Sequence, residues 1–348
     1  MAVIVIVGSG MMGSALAFPA RENGNEVRLV GSPLDREIIE ACKTTGRHPK
    51  LAKDFPEGVE YYQIEELDVA MANADLVIGG VSSFGVEWFG DHVLPRVDES
   101  VPVLSVTKGL MDCEDGTLIS YPDVWKRKLD ALGKRLSLNA IGGPCTSYEL
   151  VAHDQTEVAF CGDDLETLRR LKQWMQTDYY HISITTDVLG IESAVALKNG
   201  YALGIALTIG LNQRAFGIDS PLHYNSQAAV FGQAFKEMYR LLEIQGAWSL
   251  ENIAVGTGDL YVTVYGGRTR QIGILLGRGM DIDEAKAALN GVTLESLVVA
   301  VRVARAVKRK AARGEVSLLE FPLLMHVDEI LSEKKPVNIP WESFVFEK

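Results

Sequence analysis

The chain opens on an unbroken apolar run, Val3-Ile4-Val5-Ile6-Val7, that stops at Gly8-Ser9-Gly10-Met11-Met12-Gly13 and passes into helix-compatible Ser14-Ala15. A short β-branched run bounded by glycine predicts a strand buried on both faces. Glu26–Val30 repeats the pattern one helix length later, the separation that a crossover between parallel strands requires. Further short apolar runs lie at 75–81, 101–106, 136–144 and 157–161, each ending on glycine or a polar residue. Strands alternating with helical stretches predict an α/β domain over residues 1–188, a mostly parallel sheet covered by helices on both faces. Functional groups then gather where strands end, near Ser82, Lys108 and Pro144.

After about Asp187 the alternation fades. Residues 191–211 and 226–245 are helical in pattern and rich in Ala, Leu and Gly. Gly246 reads as a helix terminator, 257–273 as a glycine-rich loop, and further helices start near Asp281 and Thr293. Residues 189–348 are therefore expected to form an all-α domain. The basic stretch around Lys308-Arg309-Lys310 reads as a solvated helix face.

The first glycine cluster has the spacing G-x-G-x-x-G directly between a strand and a helix, the context in which that spacing predicts a dinucleotide site of Rossmann type. The first glycine permits the turn, the second lets a pyrophosphate reach the backbone, and the third lets helix and strand pack closely. Free N–H groups at the helix start then face the phosphates. This assigns Gly8, Ser9, Gly10 and Gly13 to the cofactor.

Composition narrows the remaining choices. A length of 348 residues with 47% hydrophobic positions supports two cores. A net charge of −12 argues against nucleic acid or an anionic membrane as a bulk partner, so an anionic substrate must be met by a local Lys/Arg cluster. Cys42, Cys113, Cys145 and Cys161 have neither metal-ligand spacing nor a disulfide framework, and the six histidines show no pairing, so reduced thiols, a cytoplasmic setting and no metal are expected. The start of the chain lacks a signal-peptide pattern, and no window is expected to span a membrane.

Four further segments are informative together: Thr107-Lys108-Gly109-Leu110, Gly142-Gly143-Pro144-Cys145-Thr146-Ser147, Gly190-Ile191-Glu192 with Ala196-Leu197-Lys198-Asn199, and Gly258-Asp259-Leu260 with Gly266-Gly267-Arg268. In order and spacing the chain resembles the NAD(P)-dependent sn-glycerol-3-phosphate dehydrogenases, from the first glycine motif to about Glu295. The resemblance implies reduction of dihydroxyacetone phosphate by hydride transfer from NAD(P)H, with Lys198 as proton donor and acceptor, and the apolar helical half makes a homodimer the expected assembly. It implies that Asn199 lies beside the substrate, that Lys108 touches both substrate and cofactor, that Asp259 organises the site, and that Arg268 binds the substrate phosphate. Gly143, Cys145 and Thr269 fall at substrate positions; Met11, Met12, Ser147, Arg268 and Glu295 fall at cofactor positions, and Ser32 and Ser82, at strand ends, are further candidate cofactor contacts. Thr263 matches a threonine found in part of the family.

The chemistry agrees with these roles. Ketone reduction builds negative charge on oxygen, which a positioned ammonium neutralises and protonates. A second ammonium at Lys108 favours proton release from Lys198, while Asp259 opposes it and holds the amine in place. A planar guanidinium suits a phosphate dianion. Glu149 and Glu192 read as structural partners.

Departures from the family pattern bear on substrate and cofactor. Cys145 replaces a usual serine, Thr269 follows Arg268 where asparagine is usual, Gly267 replaces a serine common in bacterial members, and the segment around 212–224 is longer and is expected beside the active site. Another small phosphorylated ketose is therefore an alternative substrate, and a non-catalytic NAD(P) sensor an alternative function. The end of the second strand reads Val30-Gly31-Ser32-Pro33 with no acid at its tip, so NADP is not repelled and Ser32 with Arg36 can receive its phosphate.

Overall fold

The computed structural model describes residues 1–289 and 295–347, without the side chains of Glu295 and Ser296. The chain divides into two compact units. One comprises residues 1–108 and 121–192, the other 109–120 and 193–348.

The first unit is built on eight strands: β1 (Val3–Val7), β2 (Glu26–Val30), β3 (Val59–Tyr62), β4 (Leu76–Gly79), β5 (Val103–Ser105), β6 (Leu138–Gly142), β7 (Thr156–Gly162) and β8 (Tyr180–Thr185). Their spatial order is β8-β7-β6-β5-β4-β1-β2-β3. All neighbours are parallel except the antiparallel pair β6 and β7. The order from β3 to β6 is that of a dinucleotide-binding sheet, with its reversal point between β1 and β4. Two strands escape the sequence reading. Val59-Glu60-Tyr61-Tyr62 is a half-polar edge strand, and Tyr180–Thr185 alternates His181 and Ser183 outward against buried Tyr180 and Ile182, so neither forms an apolar run.

The second unit holds the helices Val188–Phe216 (from Ser193 on), Tyr224–Ile244, Leu250–Tyr265, Gly267–Gly277, Ile282–Ala288, Glu295–Ala312 and Pro322–Glu333. It is not all-α. Leu110–Asp112 pairs antiparallel with Leu118–Ser120, and this ribbon is fastened to the Glu295–Ala312 helix. Arg305 and Arg309 bind Asp112, and Arg309 also donates to the Cys113 carbonyl at 2.5 Å. The boundary expected near 188 therefore falls four residues later, and the hairpin after Lys108 goes with the helical unit. The same contacts correct the solvated reading of the basic stretch, since Lys308 also pairs with Asp328 at 2.5 Å.

The expected loop over 257–273 is two helices. Their glycines face a neighbouring helix: a Cβ on Gly273 would lie 2.6 Å from Ala206 Cβ, and one on Gly277 would lie 2.3 Å from the Leu207 carbonyl oxygen. Small residues here permit backbone-to-backbone approach. The 29-residue helix Val188–Phe216 is also long and apolar enough to cross a membrane, contrary to the sequence expectation, but 83% of its most apolar window is buried inside the protein. That burial marks a core helix.

Candidate active site

At the reversal point of the sheet, β1 delivers Gly8 and β4 delivers Gly80 within touching distance. Gly8 has φ +111°, and a Cβ there would lie 2.7 Å from the Gly80 carbonyl carbon. Gly10 caps the helix Met11–Glu22 in extended geometry with no side-chain bond to the first turn, so those N–H groups stay available to phosphate. A Cβ on Gly13 would meet the Gly8 carbonyl oxygen at 2.2 Å. Gly8 and Gly13 thus meet the steric demands expected of them, and the loop around Gly10 is open enough to fit a pyrophosphate. Gly80 is a fourth member that the sequence reading missed; its only signal is the Gly79-Gly80 pair at a strand end.

Two further residues brace the loop. Asp35 Oδ2 accepts from the Ser9 and Ser32 backbone N–H groups at 3.1 and 2.9 Å. Buried His48 accepts at Nδ1 from the Lys50 and Leu51 N–H groups, which leaves Nε2 to donate to the Ser9 carbonyl at 3.0 Å. Burial lowers the His48 pKa, so the ring is held neutral. Arg36, the expected phosphate ligand, is exposed and paired with Glu65. Ser32 is half-buried beside the Asp35 bond.

Beyond β5, Thr107 Oγ1 donates to the Val81 carbonyl at 2.6 Å, and Lys108 Nζ donates to the Gly143 carbonyl at 2.7 Å. Met12, Val106, Lys108, Gly143, Cys145 and Tyr180 line one cavity of about 20 Å³. Four residues predicted from three distant motifs are thereby brought together. Ser147 is buried at the start of the short Ser147–Leu150 helix, and Ser82 is exposed just after β4.

In the helical unit, Lys198 donates to Asp259 Oδ1. Asp259 is fully buried and the Lys198 side chain is 12% exposed. The local sequence explains the pairing. A Cβ on Gly256 would lie 2.8 Å from Ala194 Cβ, so the helices Val188–Phe216 and Leu250–Tyr265 touch there. Lys198 stands four residues after Ala194 and Asp259 three after Gly256, each one turn along the facing side. Asp259 is interior to its helix and caps nothing, while Thr263 Oγ1 donates to its carbonyl at 2.7 Å. Asn199 is half-buried beside Lys198.

Arg268 and Thr269 lie in the first turn of the helix Gly267–Gly277, Arg268 exposed and Thr269 half-buried; Arg270 donates to the Val264 carbonyl at 2.9 Å. The side chain of Glu295 lies outside the described residues. The longer segment 212–224 is not beside Lys198. Phe216 follows it by 18 residues on one helix, about 27 Å along the axis at 1.5 Å per residue.

A glycine cradle at a sheet reversal, with a buried lysine–aspartate pair on the helices, defines a dinucleotide-dependent oxidoreductase. Residues 3–167 match the N-terminal model, and residues 187–342 the C-terminal model, of NAD-dependent glycerol-3-phosphate dehydrogenase. With a curated relative 35% identical over 82% of this chain and 83% of its own length, the NADP(+)-dependent glycerol-3-phosphate dehydrogenase of Archaeoglobus fulgidus, the chain belongs to the NAD(P)-dependent glycerol-3-phosphate dehydrogenase family. The glycerol-3-phosphate dehydrogenase [NAD(P)+] of Syntrophobacter fumaroxidans is 29% identical over 97% of this chain and 93% of its own. Among solved structures, glycerol-3-phosphate dehydrogenase from Plasmodium falciparum superposes with a TM-score of 0.83 at 19% identity, covering 100% of this chain and 96% of its own. The Coxiella burnetii enzyme gives 0.79 at 23%, covering 99% and 97%. The cofactor is NAD or NADP.

Proposed function

We propose that Lys198 is the proton donor in the reduction of dihydroxyacetone phosphate to sn-glycerol 3-phosphate, and that Asp259 fixes its position. The observation that carries this is the Lys198–Asp259 pair, a charged amine on a mostly apolar helix held by a carboxylate with no exposure at all. Such a pair is weak as a stabiliser, because desolvation offsets much of its attraction. Its use is to present one proton at one place. The nicotinamide, when bound, supplies the hydride. Lys198 gives its proton to the substrate oxygen as charge develops there, and solvent restores it. Lys108 adds positive charge beside the substrate, with Asn199, Gly143, Cys145 and Thr269 as its other contacts, while Arg268 at a helix start anchors the phosphate.

For the cofactor we assign Gly8, Ser9, Gly10, Met11, Met12 and Gly13 to the pyrophosphate cradle, with Ser32, Ser82, Lys108, Ser147 and Arg268 as further contacts. NADP is accepted, because Asp35 is committed to the loop backbone and no acid guards the strand end. The protein acts in the cytoplasm as a homodimer, a reading supported by exposed Trp248, Leu250, Tyr261 and Tyr265 on the helical unit. The test of function is loss of reduced-cofactor absorbance on adding dihydroxyacetone phosphate. Tight cofactor binding without turnover on any phosphorylated ketose contradicts it, and sedimentation velocity tests the dimer.

A further inference from the structure

Ser9, between the first two glycines of the cradle, is gripped at both ends of its backbone. Its N–H donates to Asp35 Oδ2 at 3.1 Å, and its carbonyl accepts from Ser14 Oγ at 3.2 Å and from His48 Nε2 at 3.0 Å. His48 has no exposure to solvent, and its ring packs T-shaped against Phe55. Its other nitrogen, Nδ1, faces the Lys50 and Leu51 N–H groups at 3.1 and 3.0 Å. Two donors aimed at one nitrogen leave it no place for a proton of its own. A second proton on the ring would set N–H against N–H at a buried position and break both bonds. The carbonyl that Nε2 holds belongs to the same trans peptide as the Gly10 N–H, and the two groups point in opposite directions across that plane. Holding the one to the ring aims the other away from it, along the cradle.

We propose that His48 is a positioning residue for the dinucleotide: its neutral ring holds the Ser9–Gly10 peptide in the orientation that receives the pyrophosphate, and protonation of the ring releases that peptide, so that cofactor binding weakens in acid while the fold persists. The proposal rests on the glycine cradle being the dinucleotide site. The charged groups around the ring act in both directions. Burial is the largest influence and disfavours the positive ring, as does Lys50; the bond to Ser9 and the Asp35 carboxylate favour it. Lys53 is the backbone partner of His48 in the small antiparallel ribbon of Arg47–His48 with Lys53–Asp54, and Arg47 is paired with Asp54. The balance places the ring's pKa below its ordinary value of 6.5, so the neutral form prevails at and above neutral pH.

The experiment is fluorescence titration of NADH into the intact protein from about pH 5 to about pH 8, in wild type and His48→Asn, with near-ultraviolet circular dichroism at each pH to confirm that the fold persists. NADH is the probe because its diphosphate keeps its charge over that range. Wild-type affinity is expected to be constant toward the upper end and to fall by up to about tenfold per pH unit once the ring takes its proton, the dependence of one linked proton. Asparagine keeps an acceptor for the Lys50 and Leu51 N–H groups, lacks the ring nitrogen that reaches Ser9, and does not titrate. His48→Asn is therefore expected to bind NADH about 3- to 10-fold more weakly than wild type near the upper end, with no further fall in acid. Parallel profiles in the two proteins, or a wild-type profile with no fall in acid, overturn the proposal. Should His48→Asn fail to fold, proton NMR of wild type decides. By reciprocity the His48 ring should titrate at lower pH with NADH bound than without it, and an unchanged midpoint overturns the proposal. Wild-type protein that binds neither NADH nor NADPH at any pH counts against the cradle and takes the proposal with it, whereas binding that is tight and independent of pH overturns the role of His48 alone.

Discussion

Gly256 and Ala194 are in helix-to-helix contact so close that a single added methyl on Gly256 would sit 2.8 Å from Ala194 Cβ and 3.0 Å from its carbonyl oxygen. One turn further along, the same two faces carry Asp259 and Lys198. Gly256→Ala is therefore expected to destabilise the helical unit by about 1–3 kcal/mol through overpacking and to lower kcat about tenfold or more with little change in cofactor affinity. Denaturant unfolding with steady-state kinetics checks both, and unchanged kcat would separate the contact from the site.

Removing one member of the buried pair takes an opposite charge away from the other. Asp259→Asn is expected to reduce kcat by about 10²–10³-fold while cofactor binding persists. Lys198→Ala, which strands Asp259 without its cation, should lower stability by about 3–5 kcal/mol. Restored stability in the double variant Lys198→Met with Asp259→Leu is the check on that sign.

In the dinucleotide cradle the contacts are backbone against backbone, which no rotamer can relieve. Gly13→Ala, whose Cβ would lie 2.2 Å from the Gly8 carbonyl oxygen, should abolish measurable cofactor binding. Gly80→Ala, at 2.7 Å from that same oxygen, should do so too. Titration of cofactor fluorescence reads both variants; normal affinity in either would contradict the cradle.

These residues show how far the sequence reaches. The glycine motif was legible because strand, spacing and helix are contiguous, and the Lys198–Asp259 assignment followed from the resemblance. Gly80 and His48 were not legible, since they meet the loop only through sheet order and through a buried ring bound to backbone. Gly273, at the end of the segment 257–273, read as loop because turn and close helix packing use the same residue for different reasons. Strands β3 and β8 were missed because edge position leaves half their residues polar, and the hairpin 109–120 because its partners lie some 190 residues away on the helix Glu295–Ala312.

On the proposed reading, NADP use turns on Arg36. Its pairing with Glu65 is largely exposed, 58% and 60%, and is weakened by solvent screening. A 2′-phosphate can therefore displace it. Arg36→Ala is expected to raise KM for NADPH about tenfold and leave NADH unchanged. Turnover with NADH alone in wild type would reject NADP use.

The helical unit carries a pH-dependent stability element. Glu237 accepts from the Leu323 and Leu324 N–H groups at 2.8 and 3.0 Å, at the start of the helix Pro322–Glu333, and burial raises its pKa to about 7. A raised carboxyl pKa means that the folded state binds the proton more tightly than the unfolded chain. That contribution is full below the unfolded value near 4.5 and is lost as pH rises toward 7. Against Glu237→Gln, wild-type stability should fall by on the order of 3 kcal/mol across that window. Parallel unfolding curves with a constant difference would contradict it.

The most direct measurement is single-turnover reduction of dihydroxyacetone phosphate by Lys198→Met, followed through reduced-cofactor absorbance, beside its cofactor dissociation constant. The expected result is a rate lower by at least about 10³-fold with cofactor affinity within about twofold of wild type. Reduction at near wild-type rate would show that the proton comes from another group.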